Sequence, residues 1–137
     1  MISVVDTSAL IRLFVPDGPL PNNFEGFLRG VERGLNIAIA PELLLAETAN
    51  VLNKKYLSGE LSESESDQLL SDILSVPIRF FPHCPILVRA VELARAHNLT
   101  VYDTLYLALA EEHGAVIFTC DRELSAVASQ LHLYDNP

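Results

Sequence analysis

Four acidic residues stand where the surrounding chain gives an acid little reason to be. Asp6 ends the strand-like part of "ISVVDTSAL" (2–10), where mostly β-branched apolar residues, of the kind that fill a strand buried on both faces, stop at a carboxylate. Asp121 repeats the arrangement in "AVIFTCDREL" (115–124): apolar strand, small hydroxyl residue, acid. Taken singly, Asp6 and Asp121 read equally well as helix N-caps, and Asp103, three residues after Thr100 in "TVYD", matches a capping box. Glu47, in "PELLLAETANVL" (41–52), is harder to explain in that way. Its helical neighbours at i±3 and i±4 are Leu43, Leu44, Asn50 and Val51, so no base faces it, and it interrupts the apolar stripe expected to face a sheet. Asp103 is similar, with Leu99, Thr100, Tyr106 and Leu107 around it. An acid on an inward face must be paired, protonated or bound to a metal.

If the four converge, each pair of carboxylates ~5 Å apart repels by about 3 kcal/mol at an effective dielectric of ~20. No base lies within a helical turn of Glu47 or Asp103, so a cation from solution is the natural counter-charge. An all-oxygen set favours Mg²⁺ or Mn²⁺ over zinc. A hydrated ion of that kind lowers the pKa of a bound water, holds a phosphate oxygen and stabilises a leaving oxygen, which is the chemistry of phosphodiester hydrolysis.

The elements that would carry these acids follow from periodicity and punctuation. "TSALIRLFV" (7–15) and "FEGFLRGVERG" (24–34) have helical spacing, separated by the Pro/Gly-rich loop "VPDGPLPNN" (15–23). "LNIAIA" (35–40) reads as a second buried strand, with Pro41 at the N1 position of a helix running to about Lys55. In "LSGELSESESDQLLSDILSV" (57–76) a turn precedes a helix capped by Ser62 or Ser64, with Leu69, Leu70, Ile73 and Leu74 as its apolar face. "IRFF" (78–81), ringed by prolines, suits an edge strand. Pro85 opens a helix with Leu87, Val91 and Ala94 on one side, and a further helix covers about Tyr102 to His113. Strand "AVIFT" (115–119), helix "DRELSAVASQL" (121–131) and a closing edge strand "LHLY" (131–134) complete the chain. Short apolar strands alternating with helices imply right-handed βαβ units and a parallel sheet covered on both faces, with ligands at the carboxyl ends of the strands, where Asp6 and Asp121 would lie.

The length of 137 residues suits a single domain, taken as residues 1–137, able to bury a core without staples. Cys84 and Cys120 form no CxxC pair, so neither a disulfide framework nor a zinc knuckle is indicated. Nothing resembles a secretory signal or a membrane span, and the expected location is the cytoplasm. The net charge of -9 argues against non-specific attraction to nucleic acid. Five of the 18 acids, however, lie between Tyr56 and Ile78, and four are the candidates above, so nine remain to face nine basic residues. Half the residues are hydrophobic, which suggests apolar surface covered by a partner.

With "VVDTSAL" (4–10), "PELLLAETANVL" (41–52) and above all "LARAHNLTVYDTLYLALAEEHGAVIFTCDREL" (93–124) in this order, the chain resembles the PIN-domain nucleases, in particular the small ribonuclease toxins of VapC type. The resemblance spans essentially the whole chain. It implies a three-layer α/β/α fold with a central parallel sheet, and an acid quartet of Asp6, Glu47, Asp103 and Asp121 that binds Mg²⁺ or Mn²⁺ and cuts RNA through a metal-activated water with no covalent enzyme intermediate. Thr119, in the T-x-D pattern, and Ser8 would be supporting hydroxyls. An antitoxin partner and a homodimer are further implications. Where many members carry an aromatic residue shortly after T-x-D, this chain has Leu124.

Rival readings fail on single residues. A receiver-like phosphoacceptor needs a second acid beside Asp6 and a lysine ending a late strand. A haloacid-dehalogenase-like phosphatase needs Asp-x-Asp, but position 8 is Ser. A metal-dependent adhesion module needs Asp-x-Ser-x-Ser, and Asp6-Thr7-Ser8-Ala9-Leu10 fails at the last position. A PIN-like module that only binds metal or a partner is the alternative to an active nuclease. The four histidines show no ligand spacing, Cys120 reads as a small core residue, and Tyr102 and Tyr106, at i and i+4, read as packing.

Overall fold

The computed structural model describes residues 1–134. Four strands, β1 (Ile2–Val5), β2 (Ile37–Pro41), β3 (Ile78–Phe81) and β4 (Val116–Phe118), form one parallel sheet in the order β3-β2-β1-β4. β1 is central because it can be buried on both faces, and Val4 and Val5 are both fully buried. Val4 pairs with Ile39 on one side and Ile117 on the other, and Val5 with Phe118. Side chains alternate between faces along each strand. Phe118 meets Phe24 and Phe27 of helix α2 (Phe24–Glu32), at ring separations of 5.2 and 5.0 Å. Its neighbours Ile117 and Val4 therefore face the opposite layer.

The remaining helices are α1 (Thr7–Phe14), α3 (Leu43–Leu57), α4 (Glu63–Leu74), α5 (Leu87–His97), α6 (Val101–His113) and α7 (Arg122–Gln130), which complete a three-layer α/β/α arrangement. α6 is buried from Thr104 through Ala110, because it packs on the strands while α5 packs on it. The two helices are tied where the Thr104 hydroxyl donates to the Ala90 carbonyl at 2.7 Å. Ser62 caps α4 in a reciprocal box with Glu65, and β3 is the edge strand expected.

Four local expectations are corrected. Pro41 closes β2 and does not begin the helix: the Glu42 amide still bonds to the Phe81 carbonyl at 3.0 Å, so the ladder to β3 outlasts the proline. The first turn of α3 instead has its Leu43 amide donated to Nε2 of His83, at 3.0 Å. The buried stripe of α5 is Ala90, Leu93 and Ala94, in line with Ile86 of a preceding 3₁₀ turn (Cys84–Ile86) at i+4, i+7 and i+8, and Leu87 is exposed. On α4 only Ile73 is buried, while Leu74 is exposed. "LHLY" is a turn, with His132 at φ 59°, and bonds the β4 edge only once, where the Ile117 amide donates to the Leu133 carbonyl at 2.7 Å.

Candidate active site

Because all four strands run the same way, their carboxyl ends share one edge of the sheet, and the four acids reach it from four elements. Asp6 directly follows β1 and caps α1; Asp121 follows β4 and caps α7. Glu47 lies near the start of α3, which leaves the end of β2, and Asp103 lies in the first turn of α6. Together they line one cavity of about 410 Å³.

Asp6 is 4% exposed and accepts three hydrogen bonds, one fewer than the roughly four acceptor sites of a carboxylate. One carboxylate oxygen accepts the Ala9 amide at 2.9 Å and the Ser8 hydroxyl at 2.8 Å, and the other accepts the Thr119 hydroxyl. Thr119 in turn accepts the Asp121 amide at 3.0 Å, and Ser8 accepts the Cys120 amide at 2.9 Å. The two supporting hydroxyls thus join the ends of β1 and β4. Burial pushes Asp6 from 3.8 up to about 6, opposed by the three donors and aided by the Asp121 charge. Asp121 caps α7 through Oδ1, which accepts the Leu124 amide at 3.0 Å. The cap readings hold for both residues, and the same carboxylates face the cavity.

Among the described residues Asp103 has no ion-pair partner. Its amide donates to Thr100 at 3.2 Å, half of the expected box. Its carboxyl is raised first by burial, against a lowering hydrogen bond with Thr100, and then by the charges of Asp121, Glu47 and Glu123. Oε1 of Glu47 lies 2.9 Å from the Thr7 hydroxyl and 2.6 Å from the Tyr106 hydroxyl, both of which donate to it. Burial and the bond to Glu47 raise Tyr106 far above the usual phenol range, so it stays a proton donor.

Tyr106 is therefore more than packing. The sequence signal was its place three residues after Asp103, on the same helical face. Thr7 and Lys54 also line the cavity and were missed. Lys54 stands seven residues beyond Glu47, two helical turns along the same face. Cys120 is partly buried and its thiol is pushed up by burial, which suits a core residue better than a nucleophile.

Among the described residues, no three acid, histidine or cysteine side chains are grouped tightly enough to form a ready-made ion cage. The donor chemistry nevertheless fits a hard divalent cation: every candidate ligand is a carboxylate, and Asp6 and Asp103 are each raised in part by their acidic neighbours. Among the described residues none of the four carboxylates forms an ion pair.

A family model described as the PIN domain matches residues 3–130. Ribonuclease VapC3 of Pyrobaculum aerophilum is 33% identical over 124 residues, covering 89% of this chain and 91% of that one. Ribonuclease VapC1 of Mycobacterium tuberculosis is 32% identical over 123 residues, covering 90% and 88%. Among solved structures, PAE2754 from Pyrobaculum aerophilum superposes with a TM-score of 0.70 at 27% identity, over 92% of this chain and 78% of that one. VapC20 of Mycobacterium tuberculosis, a sarcin-ricin loop cleaving toxin, superposes with a TM-score of 0.63 at 19% identity, over 93% and 95%, a likeness of fold.

Proposed function

As the chain belongs to the PIN-domain family, we propose that it is a divalent-metal-dependent endoribonuclease, the toxin of a toxin–antitoxin pair, with residues 1–137 as its single domain and Asp6, Glu47, Asp103 and Asp121 as metal ligands. One observation carries this reading: carboxylates from four separate elements line one cavity without an ion pair among the described residues. The names of the VapC ribonucleases support RNA as the substrate.

Mg²⁺ or Mn²⁺ held there supplies an acidified water and charge neutralisation at the phosphate. The chain's own residues set the geometry. Asp6, held by three donors, is the fixed ligand, and Thr119 couples it to Asp121 through the β4 end. Glu47 is oriented by two hydroxyls on Oε1 and would be one of the carboxylates to hold the ion. The hydroxyls of Thr7, Ser8 and Thr119 each donate to a carboxylate and hold it in place, and the nucleophile assigned by this reading is a water. An antitoxin and a second copy of the chain are the partners this reading assigns. Leu87 and Val88, 43% and 75% exposed at the start of α5, offer apolar surface for such a contact.

The test is incubation of the purified protein with labelled single-stranded and stem-loop RNA in millimolar Mn²⁺ or Mg²⁺. Internal cleavage is expected. RNA left intact while Mn²⁺ raises the melting temperature would favour a metal-binding module without activity.

Tyr106→Phe should keep the fold and remove one of the two donors to Glu47. A hydrogen bond to a charged acceptor contributes about 1.5–3 kcal/mol. Weaker Mn²⁺ binding and roughly a tenfold loss of kcat are expected, read by calorimetry and cleavage assay. Unchanged values in both would show that Thr7 alone suffices to hold Glu47.

A further inference from the structure

We propose that Lys54, together with Asn50, is a phosphate seat that holds the RNA strand beside the acidic cavity. The proposal rests on the nuclease reading above and deepens it. A chain of net charge -9, with four carboxylates in its cavity, repels a polyanion, and affinity for nucleic acid comes mainly from Lys and Arg at phosphates. Screening weakens the attraction of exposed charges beyond about 8 Å at physiological ionic strength, so a cation must stand close to the phosphate it holds.

Among the described residues Lys54 is the one lysine or arginine lining the cavity. Although it lines the same cavity as the four acids, it forms no ion pair among the described residues. Its neighbour Lys55 is instead tied to Glu60 at 3.1 Å. Residues 47, 50 and 54 follow a 3, 4 spacing and share one face of α3. At 1.5 Å per residue, Asn50 and Lys54 lie about 4.5 and 10.5 Å along the axis from Glu47. A strand with one phosphate at the acids could therefore lay a neighbouring phosphate along this ridge. The Lys54 ammonium supplies a point charge with three donors, and the Asn50 amide donates to a phosphate or sugar oxygen. Such contacts position a strand without reading its bases.

Lys54 and Lys55 both lie in the last turn of α3, so any favourable interaction with the helix dipole is common to them. The RNA contact belongs to Lys54 alone, which makes Lys55 the internal control.

The experiment compares Lys54→Gln, Lys54→Arg and Lys55→Gln with the wild type in Mn²⁺-supported cleavage over a range of salt. For Lys54→Gln, KM should rise about tenfold with kcat nearly kept, and the slope of log KM against log salt should fall by roughly 0.7–0.9, one phosphate contact. Lys54→Arg should retain most of the affinity, and Lys55→Gln should match the wild type. A Lys54→Gln variant with the KM and salt slope of the wild type overturns the proposal. Should the wild type fail to cleave RNA, the nuclease reading falls separately, and the seat is then decided by fluorescence anisotropy with a labelled oligoribonucleotide. Weaker binding by Lys54→Gln upholds it, and equal binding overturns it.

Discussion

Asp6→Asn is expected to lower the rate of RNA cleavage by about a thousandfold or more while the metal-free protein becomes more heat-stable. The rate effect follows from losing the best-held carboxylate in a site where charge stabilisation by the ion contributes several kcal/mol, each ~1.4 kcal/mol being tenfold. The stability effect has the opposite sign. In the folded protein Asp6 is raised from 3.8 to about 6, chiefly by burial, so folding favours its protonated form by about 3 kcal/mol. That contribution is fully present below the unfolded value and is lost as pH rises through about 6. Near pH 7.5 the wild type without divalent ions lacks it, whereas an asparagine is neutral at every pH. The gain is partly offset by weaker acceptance of the Ala9, Ser8 and Thr119 hydrogens. A net rise in Tm of several degrees is expected. Melting curves of both proteins from pH 4 to 8 isolate Asp6 from the other acids. Parallel curves would remove the electrostatic account, and full activity would remove Asp6 from the site.

Removing divalent ions should have an effect on cleavage as large as that substitution. With EDTA the rate should fall to background and return when Mn²⁺ is added in excess. The same ion should stabilise the fold, by about 2.7 kcal/mol at a hundred times its dissociation constant. This stabilisation should weaken as pH drops below about 6, because protons compete for the carboxylate of Asp6. Asp6→Asn should show little of it. A protein that cleaves at an undiminished rate in EDTA would exclude these acids as a metal site.

β1 and β4 were legible because a strand buried on both faces must be a continuous apolar run, and the acids that end those runs cap the helices that follow. The edge position of β3 was legible from its flanking prolines. Where a boundary depended on a tertiary bond, the reading slipped. Pro41 stays in β2 because the next residue is still bonded to β3, and the buried face of α5 continues from Ile86 of the 3₁₀ turn and not from Leu87. "LHLY" has the composition of a strand but makes one bond to the sheet edge.

By itself, the sequence determined that Glu47 and Asp103 stand without a base within a helical turn, that Asp6 and Asp121 end buried strands, and that a parallel sheet would bring strand ends to one edge. These are properties of residues within a turn or two of each other, where spacing dictates proximity. Only the tertiary structure decided what holds the acids: Thr119 on Asp6 across 113 positions, Thr7 and Tyr106 on Glu47 across 40 and 59, with Lys54 left unpaired among the described residues beside them. The reason is physical. A hydroxyl or an ammonium acts over a few ångströms, and which ones come that close is set by the packing of helices on the sheet.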